Sequence, residues 1–529
     1  MSTTQDAAML GLSRRNFLQY AGGAAGLAVL ASCSSSSSST ERSSSGGPPR
    51  RGGVLTVAKL SEPTDLALFN NNAAPAYHVL IPAVFDTLLT VDKNFAPQPG
   101  LAESFDSGNR QLQLKLRKGV QFHSGREFTA DDVRFTLERI QDPALGSTKY
   151  ATTVQSLGAL ETPDKYTVVF KLESDAYAAM AALVRMLTVV TIVDKPNLQG
   201  ANSHTTAIGT GPFKLEKRSP GQESTFVRNE NYWMSGFPLL DGVTVKVVRD
   251  AQAINVALRS GSIMTTDELS GSDADRLKQA SYTVTANEAS MSIHYLLANT
   301  SKAALSDVRV RQALNYAIDR KKIASTSGAG VPTTVPWVPG SSAYRAEYES
   351  KYAFDLDKAK SLFSAAGVGN GGLEVLVLNA PPLEAQDAEI LRANLATAGV
   401  KLRINQQPIN TWVEAYLDPT KHELVINELL TDPDPAVAFA QAVLLRPNND
   451  QTKYNDPRYV QLVQKILTAP DEGEVTELTA QATELLLDDC PLMPSMRLTP
   501  KLVSDSKVRD LVFTPVVGNL DVTRAWLSG

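Results

Sequence analysis

A chain of 529 residues is too long for one ordinary core and implies two or three domains, and an apolar content of 43% supports globular ones. The formal charge is −5, and it is −6 once residues 1–32, with one aspartate and two arginines, are set aside. An acidic body with no offsetting basic patch argues against nucleic acid as a partner.

The first residues read as an address. Ser13-Arg14-Arg15-Asn16-Phe17-Leu18-Gln19 precedes an Ala/Gly-rich apolar run, Tyr20–Ala31. The pattern resembles a twin-arginine export signal covering residues 1–32. The run falls short of the roughly 20 apolar residues a spanning helix needs. Leu30-Ala31-Ser32-Cys33 resembles a lipobox, which implies a diacylglyceryl group on Cys33 and an anchor in the cell membrane facing the extracytoplasmic or periplasmic side. Residues 33–52 then form a lipidated Ser-rich tether. Its nineteen residues Ser34–Gly52 cannot bury apolar surface, and as a flexible coil they reach about 24 Å. Only Cys490 remains as a second cysteine. It follows the helical run ATELLLDD and precedes Pro491, the setting of a buried free thiol.

From Gly53 the run GGVLTVAKL reads as a strand, followed by a polar loop, EPTDLALFNNNA, that contains Asn71. Leu112, Leu114 and Leu116 alternate with polar residues as a strand with one buried face. Thr129-Ala130-Asp131-Asp132 starts a helix, with acids at the positive end of its dipole. Val133, Leu137 and Ile140 share its buried face, and Asp142-Pro143 stops it. Lys165–Ser174 alternates in the same way and is expected to pair near Gln111–Arg117. Ile208–Phe213 reads as a tight turn before a strand, without the spacing of a phosphate loop. Ile254–Gly261 is a short helix and Ser290–Asn299 a strand, in which His294 and Tyr295 face opposite sides, so at most one faces a cleft. Ser306–Ile323 reads as one helix capped by Ser306, its arginines on a solvated face. Leu373–Leu378, a helix Glu384–Ala398 closed by Gly399, and Val400–Ile404 make a parallel crossover. Glu423–Asn427 adds another strand, and ligands of open α/β sheets gather beyond the carboxyl ends of such strands. This singles out Glu428, Thr431, Asp432 and Asp434 in the segment that follows.

The words LAESF, LRKGVQFHSG and FTADDVRFTLERI, then GTGPFKL, RNENYW and VRVRQALNYAIDRKKI, resemble in order the family 5 extracellular solute-binding proteins of ABC importers, which include oligopeptide, dipeptide and nickel receptors. The resemblance implies an α/β, two-lobed periplasmic-binding-protein fold, type II-like, with an extra domain inserted in lobe I. Lobe I would comprise 53–78, 196–298 and 497–529, the inserted domain 79–195 and lobe II 299–496. It implies a monomeric, non-enzymatic receptor without a cofactor, closing on a solute, an oligopeptide or dipeptide by default, and delivering it to permease subunits with their ATPases. An exported hydrolase, a non-transport surface receptor, and a binder of a non-peptide solute such as a metal complex stay open as alternatives. No HExxH, CxxC or Gly-x-Ser-x-Gly signature favours catalysis.

The loop holding Asn71 borders the ligand cleft in that family. Its peptide-binding members place an aspartate just before an Asp-Pro or Glu-Pro step to receive the peptide's amino group, and aligning Asp434-Pro435 with that step puts Thr431 in the aspartate's place. Asp432-Pro433-Asp434-Pro435 reads either as a rigid acidic turn or as a ligand contact. Trp412 and Tyr416 read either as a core pair or as the wall of an apolar subsite. Trp337, in a proline-rich loop, is a cleft candidate beside Tyr295, and Lys421 and His422 are read either as partners of a carboxylate or as solvated loop.

Overall fold

The computed structural model describes residues 48–529 apart from 64, 67–76, 109, 143–149, 281, 369–371, 380–381 and 516–517. The export signal, Cys33, most of the tether and Asn71 lie outside the described residues.

Two large sheets organise the chain. The first has seven strands in the order Thr283–Ala286, Lys501–Ser504, Thr265–Thr266, Val54–Lys59, Gly242–Val247, Glu223–Arg228 and Phe213–Ser219. Val54–Lys59 runs parallel to both of its neighbours. The second has six strands in the order Gly330–Pro332, Leu492–Leu498, Ser292–Ala298, Leu424–Leu430, Leu373–Leu378 and Leu402–Gln407. Leu373–Leu378 is parallel to Leu402–Gln407 and is joined to it by the helix Pro382–Thr397, the expected crossover. Gly399, at φ +86°, follows that helix where a side chain would be strained. The chain passes between the two sheets twice, at 287–291 and at 499–500.

A third sheet, four antiparallel strands within 102–172, carries the alternating leucines. Leu112, Leu114 and Leu116 are buried against Val133, Leu137 and Ile140 of the helix Ala130–Ile140. Each such leucine contributes on the order of 2 kcal/mol. Thr167–Leu172 pairs with Gln111–Lys115. The helix start is tied down from outside as well: the Thr129 N–H donates to Asp132 at 2.8 Å, and Arg126 bridges Asp132 and Asp194 at 2.6 and 2.5 Å.

The packing differs from the sequence-based boundaries in two places. Val79–Phe85, assigned above to the inserted unit, packs with Leu55, Phe213 and Leu520 of the first sheet's core; the third sheet's core takes over from Leu88. The cause is local, because the turn at 209–211 presses on the helix Leu80–Val84. Gly211 donates to the Val84 carbonyl at 2.9 Å, and a Cβ at Gly211 would lie 2.5 Å from the carbonyl carbon. Gly211→Ala is expected to destabilise the protein by about 1–3 kcal/mol in a urea melt, as overpacking does. Second, Ser292–Ala298 is a central strand of the second sheet, so 292–298 belongs with lobe II rather than lobe I.

The helix expected over 306–323 is two helices, Val308–Ala317 and Arg320–Ser327, each capped by its own aspartate, Asp307 and Asp319. Of its arginines, Arg309 is exposed but Arg311 and Arg320 are buried. Arg311 donates to the carbonyls of Leu305, Ser306 and Asp489, and Arg320 to those of Thr333, Tyr352 and Pro494. Instead of facing solvent, Arg311 ties the first helix to the turn before it and to the end of the helix Glu472–Asp489, and Arg320 ties the second to three other segments. Cys490 is a buried free thiol, as expected.

Candidate functional site

Both large sheets bring the carboxyl ends of parallel strands to an edge, and both edges carry buried charge. In the first sheet Val54–Lys59 ends on Lys59, beside Thr265–Thr266 and the following Asp267-Glu268. The Lys59 ammonium lies 2.7 Å from Asp267 and 2.6 Å from Glu268, with its side chain 1% exposed. His78 Nδ1 approaches Asp267 at 3.5 Å. Burial works against the Lys59 charge, but the two carboxylates outweigh it and raise its pKa. Burial likewise opposes the Asp267 charge, and Lys59 and His78 overcome it to hold that carboxyl well below its ordinary range. Sequence reasoning missed this cluster because Lys59 lies 208 and His78 189 positions from Asp267, and no local spacing marks them.

In the second sheet His294 lies opposite Glu428 on the neighbouring strand. Both His294 and Tyr295 are buried, and it is His294 that meets a charge: its Nδ1 is 2.8 Å from Asp387 on the crossover helix. Burial disfavours imidazolium, yet the bond to Asp387 and the nearby Glu384 and Glu428 raise its pKa. Glu384 is buried too, which pushes its carboxyl up. Glu428 itself is exposed.

The other sequence-derived candidates divide by burial. Tyr295 is 1% exposed, with its hydroxyl 3.3 Å from that of Tyr416. Trp412 stacks on Tyr416 with ring centroids 4.8 Å apart, so the core-pair reading is the one the packing follows. Trp337 is fully buried in the same core and its indole N–H donates to Thr483 at 2.8 Å. The prolines around it position a core anchor instead of a cleft wall. His422 is buried between the Ala415 and Gln451 carbonyls at 2.9 and 3.0 Å, and Lys421 pairs with Glu414; neither is left for a ligand carboxylate.

The acidic turn is engaged. Asp432 makes an ion pair with Arg185 at 2.8 Å, both side chains 9% exposed. Asp434 caps the helix Pro435–Gln441 through the Ala436 and Val437 N–H groups and accepts the Tyr177 hydroxyl at 2.7 Å. Burial, reinforced by Asp432, pushes the Asp434 carboxyl up to about 6. Tyr177 and Arg185 belong to the helix Tyr177–Leu187, whose Tyr177, Ala178 and Ala181 pack in lobe II's core with Val437 and Phe439. The acids therefore fasten the inserted unit to lobe II. Thr431 is buried, its N–H donating to the Met291 carbonyl at 3.0 Å and its hydroxyl without a hydrogen-bond partner among the described residues.

One further feature lies between these groups. Leu424–Leu430 pairs along its full length with Ser292–Ala298, but on its other side it meets Leu373–Leu378 only at Leu424 and Val425. Asn427–Leu430 has no sheet partner on that side among the described residues. No cluster among the described residues is arranged to hold a metal ion, and no described helix is long and apolar enough to cross a membrane.

Two α/β lobes joined by two crossovers, each presenting the carboxyl ends of parallel strands, define a two-lobed solute receptor. The chain belongs to the bacterial extracellular solute-binding proteins, family 5, whose middle-region model matches residues 96–451. It is 26% identical over 456 residues to heme-binding protein A of Haemophilus influenzae, covering 79% of this chain and 82% of that one. It is 31% identical over 340 residues to the oligopeptide-binding protein AppA of Bacillus subtilis, 60% of each. Its fold is similar to that of DppA from Helicobacter pylori in complex with the peptide STSA, with a TM-score of 0.75, 24% identity, and coverage of 91% of this chain and 99% of that one.

Proposed function

We propose that this chain is the peptide-binding lipoprotein of an ABC importer. It captures a short peptide between its lobes and presents the closed form to a membrane permease. The observation that carries the reading is the unpaired edge of Leu424–Leu430. An extended peptide adds to such an edge through main-chain hydrogen bonds, and side chains on either face supply selectivity. Relatives named for oligopeptide binding and a structural neighbour holding a tetrapeptide support it.

With Asp432 and Asp434 engaged and Thr431 neutral, Glu428 is the acid that receives the peptide's amino group. It stands on the open-edged strand, exposed, and forms no ion pair among the described residues. Glu428→Gln is expected to weaken binding of a free-amine tripeptide about tenfold or more in calorimetric titration, the loss of a charge-assisted contact, and to leave the N-acetylated tripeptide unaffected. Closure requires that the peptide bind the closed form better than the open one. Small-angle scattering with and without saturating tripeptide should show compaction. An unchanged radius of gyration with a bound peptide would remove the closure mechanism.

Export through the twin-arginine route and acylation of Cys33 place the receptor at the outer face of the cell membrane, working as a monomer. Two acyl chains anchor stably where one does not. Cys33→Ala is expected to shift the protein from the membrane pellet to the soluble fraction on cell fractionation.

A further inference from the structure

Two helix ends meet at the boundary between the lobes. In lobe I the helix Gly271–Gln279 is capped by Ser270, whose hydroxyl oxygen accepts the Asp273 N–H at 3.1 Å. In lobe II the helix Arg320–Ser327 ends on Gly328, in the left-handed region at φ +61°. A Cβ on Gly271 would lie 1.7 Å from the Gly328 carbonyl oxygen and 2.1 Å from its carbon, the closest approach at any described glycine. The two backbones therefore touch, the negative end of one helix dipole against the positive end of the other. Gly271 has no positive φ, so space alone bars a side chain there.

Both ends are fastened to the chain that runs through the hinge. Lys501, which opens the strand beyond the 499–500 crossover, reaches Asp275 at 2.7 Å and donates to the Gly271 carbonyl at 3.4 Å. On the lobe II side the Thr499 N–H donates to the Ala329 carbonyl at 2.8 Å, and Gly330 pairs with Leu498. The Asn287 N–H donates to the Pro500 carbonyl at 2.8 Å and joins the two crossovers. Bending at 499–500 must therefore change the separation of Gly271 and Gly328. Strand order gives the side on which it acts. In lobe II the strands Leu492–Leu498 and Ser292–Ala298, which run into the crossovers, separate Gly330–Pro332 from the open-edged Leu424–Leu430. In lobe I the strands Thr283–Ala286 and Lys501–Ser504 form one margin of the sheet, and the parallel strands Thr265–Thr266 and Val54–Lys59 lie beyond them. The glycine contact stands behind the hinge, and the carboxyl-end edges stand in front of it.

We propose that the Gly271–Gly328 contact is a stop behind the hinge that sets how far apart the lobes stand without ligand; this rests on the lobe closure proposed above. Two glycines let the helix ends come together, which holds the front of the cleft open. A side chain wedged between them pushes the backs of the lobes apart and swings their fronts together. Peptide affinity then rises with no change at any residue that meets the peptide, because a larger fraction of the chain already has the form that binds.

Gly271→Ala is the direct test, since alanine suits a helix and only Gly328 opposes it. Without ligand, the purified variant should be more compact than the parent in small-angle scattering, and tri-alanine should bind it about threefold more tightly or better in calorimetric titration. Gly328→Asn tolerates the left-handed backbone and places a Cβ 2.9 Å from the Ser272 nitrogen and 3.0 Å from the Gly271 carbonyl carbon. It should move both readouts the same way by less, and it carries the test if Gly271→Ala does not fold. Gly473→Ala, in the first turn of the lobe II helix Glu472–Asp489, meets only the Asp471 side chain at 3.2 Å and should change neither. A ligand-free wedge variant no more compact than the parent, or weaker tri-alanine binding by one that has compacted, would overturn the stop. A parent that does not compact with tri-alanine counts against the closure reading instead, and the ligand-free comparison of variant with parent still decides the stop.

Discussion

Replacing Arg185 by Met is expected to cost about 3–5 kcal/mol in urea unfolding, because it strands the Asp432 carboxylate in a site where both partners are nearly buried. The loss is not a surface effect. Arg185 lies in the helix Tyr177–Leu187, which packs on Val437 and Phe439 of lobe II, and Asp434 takes a hydroxyl from Tyr177 one helix-length away. The charge belongs to the fastening between the inserted unit and lobe II. The double variant Arg185→Met/Asp432→Leu removes both charges and should recover most of the stability, since buried pairs are often replaced by apolar residues at little net cost. A single variant within about 0.5 kcal/mol of the parent, the range of ordinary surface substitutions, would show that the pair carries no such weight.

Lys59→Met should have a comparable effect at the other lobe. Lys59 neutralises Asp267 and Glu268 at 2.7 and 2.6 Å, and without it two carboxylates share a buried corner. An expected loss of about 3–5 kcal/mol follows from removing the cation alone. The pH dependence has a definite sign. The Asp267 carboxyl is held below its ordinary range in the folded protein. Its contribution is therefore present above the unfolded value of about 4 and is lost as the pH falls through the folded value. Lys59→Met removes that depression, so the variant should unfold at a higher pH on acid titration followed by circular dichroism. An acid midpoint unchanged by the substitution would contradict the assignment.

Local pattern carried the elements well. The alternation of Leu112, Leu114 and Leu116, the Thr129–Asp132 helix start and the Leu373–Gln407 crossover each depend on neighbours a few positions away, and each is where its residues place it. What failed was what depends on distant partners. Trp337 sits in a proline-rich loop that reads as exposed, yet Thr483, 146 positions on, supplies its hydrogen bond. Asp432 reads as a ligand group until Arg185, from the inserted unit, occupies it. Arg311 and Arg320 read as solvated because the carbonyls that hold them come from other segments. The open edge at Asn427–Leu430 was out of reach for the same reason: a strand's sequence does not say how far its neighbour extends.

The placement of Lys501–Ser504 between Thr265–Thr266 and Thr283–Ala286 has a consequence for biogenesis. Every strand of lobe II is synthesised before that strand appears, while the sheet that begins with Val54 stays divided until it does. Domains usually mature from the amino terminus onward as the chain emerges. Here the order is inverted: the later lobe can finish first, and the earlier one waits on a strand that begins only at Lys501. A ribosome stalled short of residue 500 would hold a lobe I with an unfilled slot in its sheet, an open edge of the kind that invites aggregation.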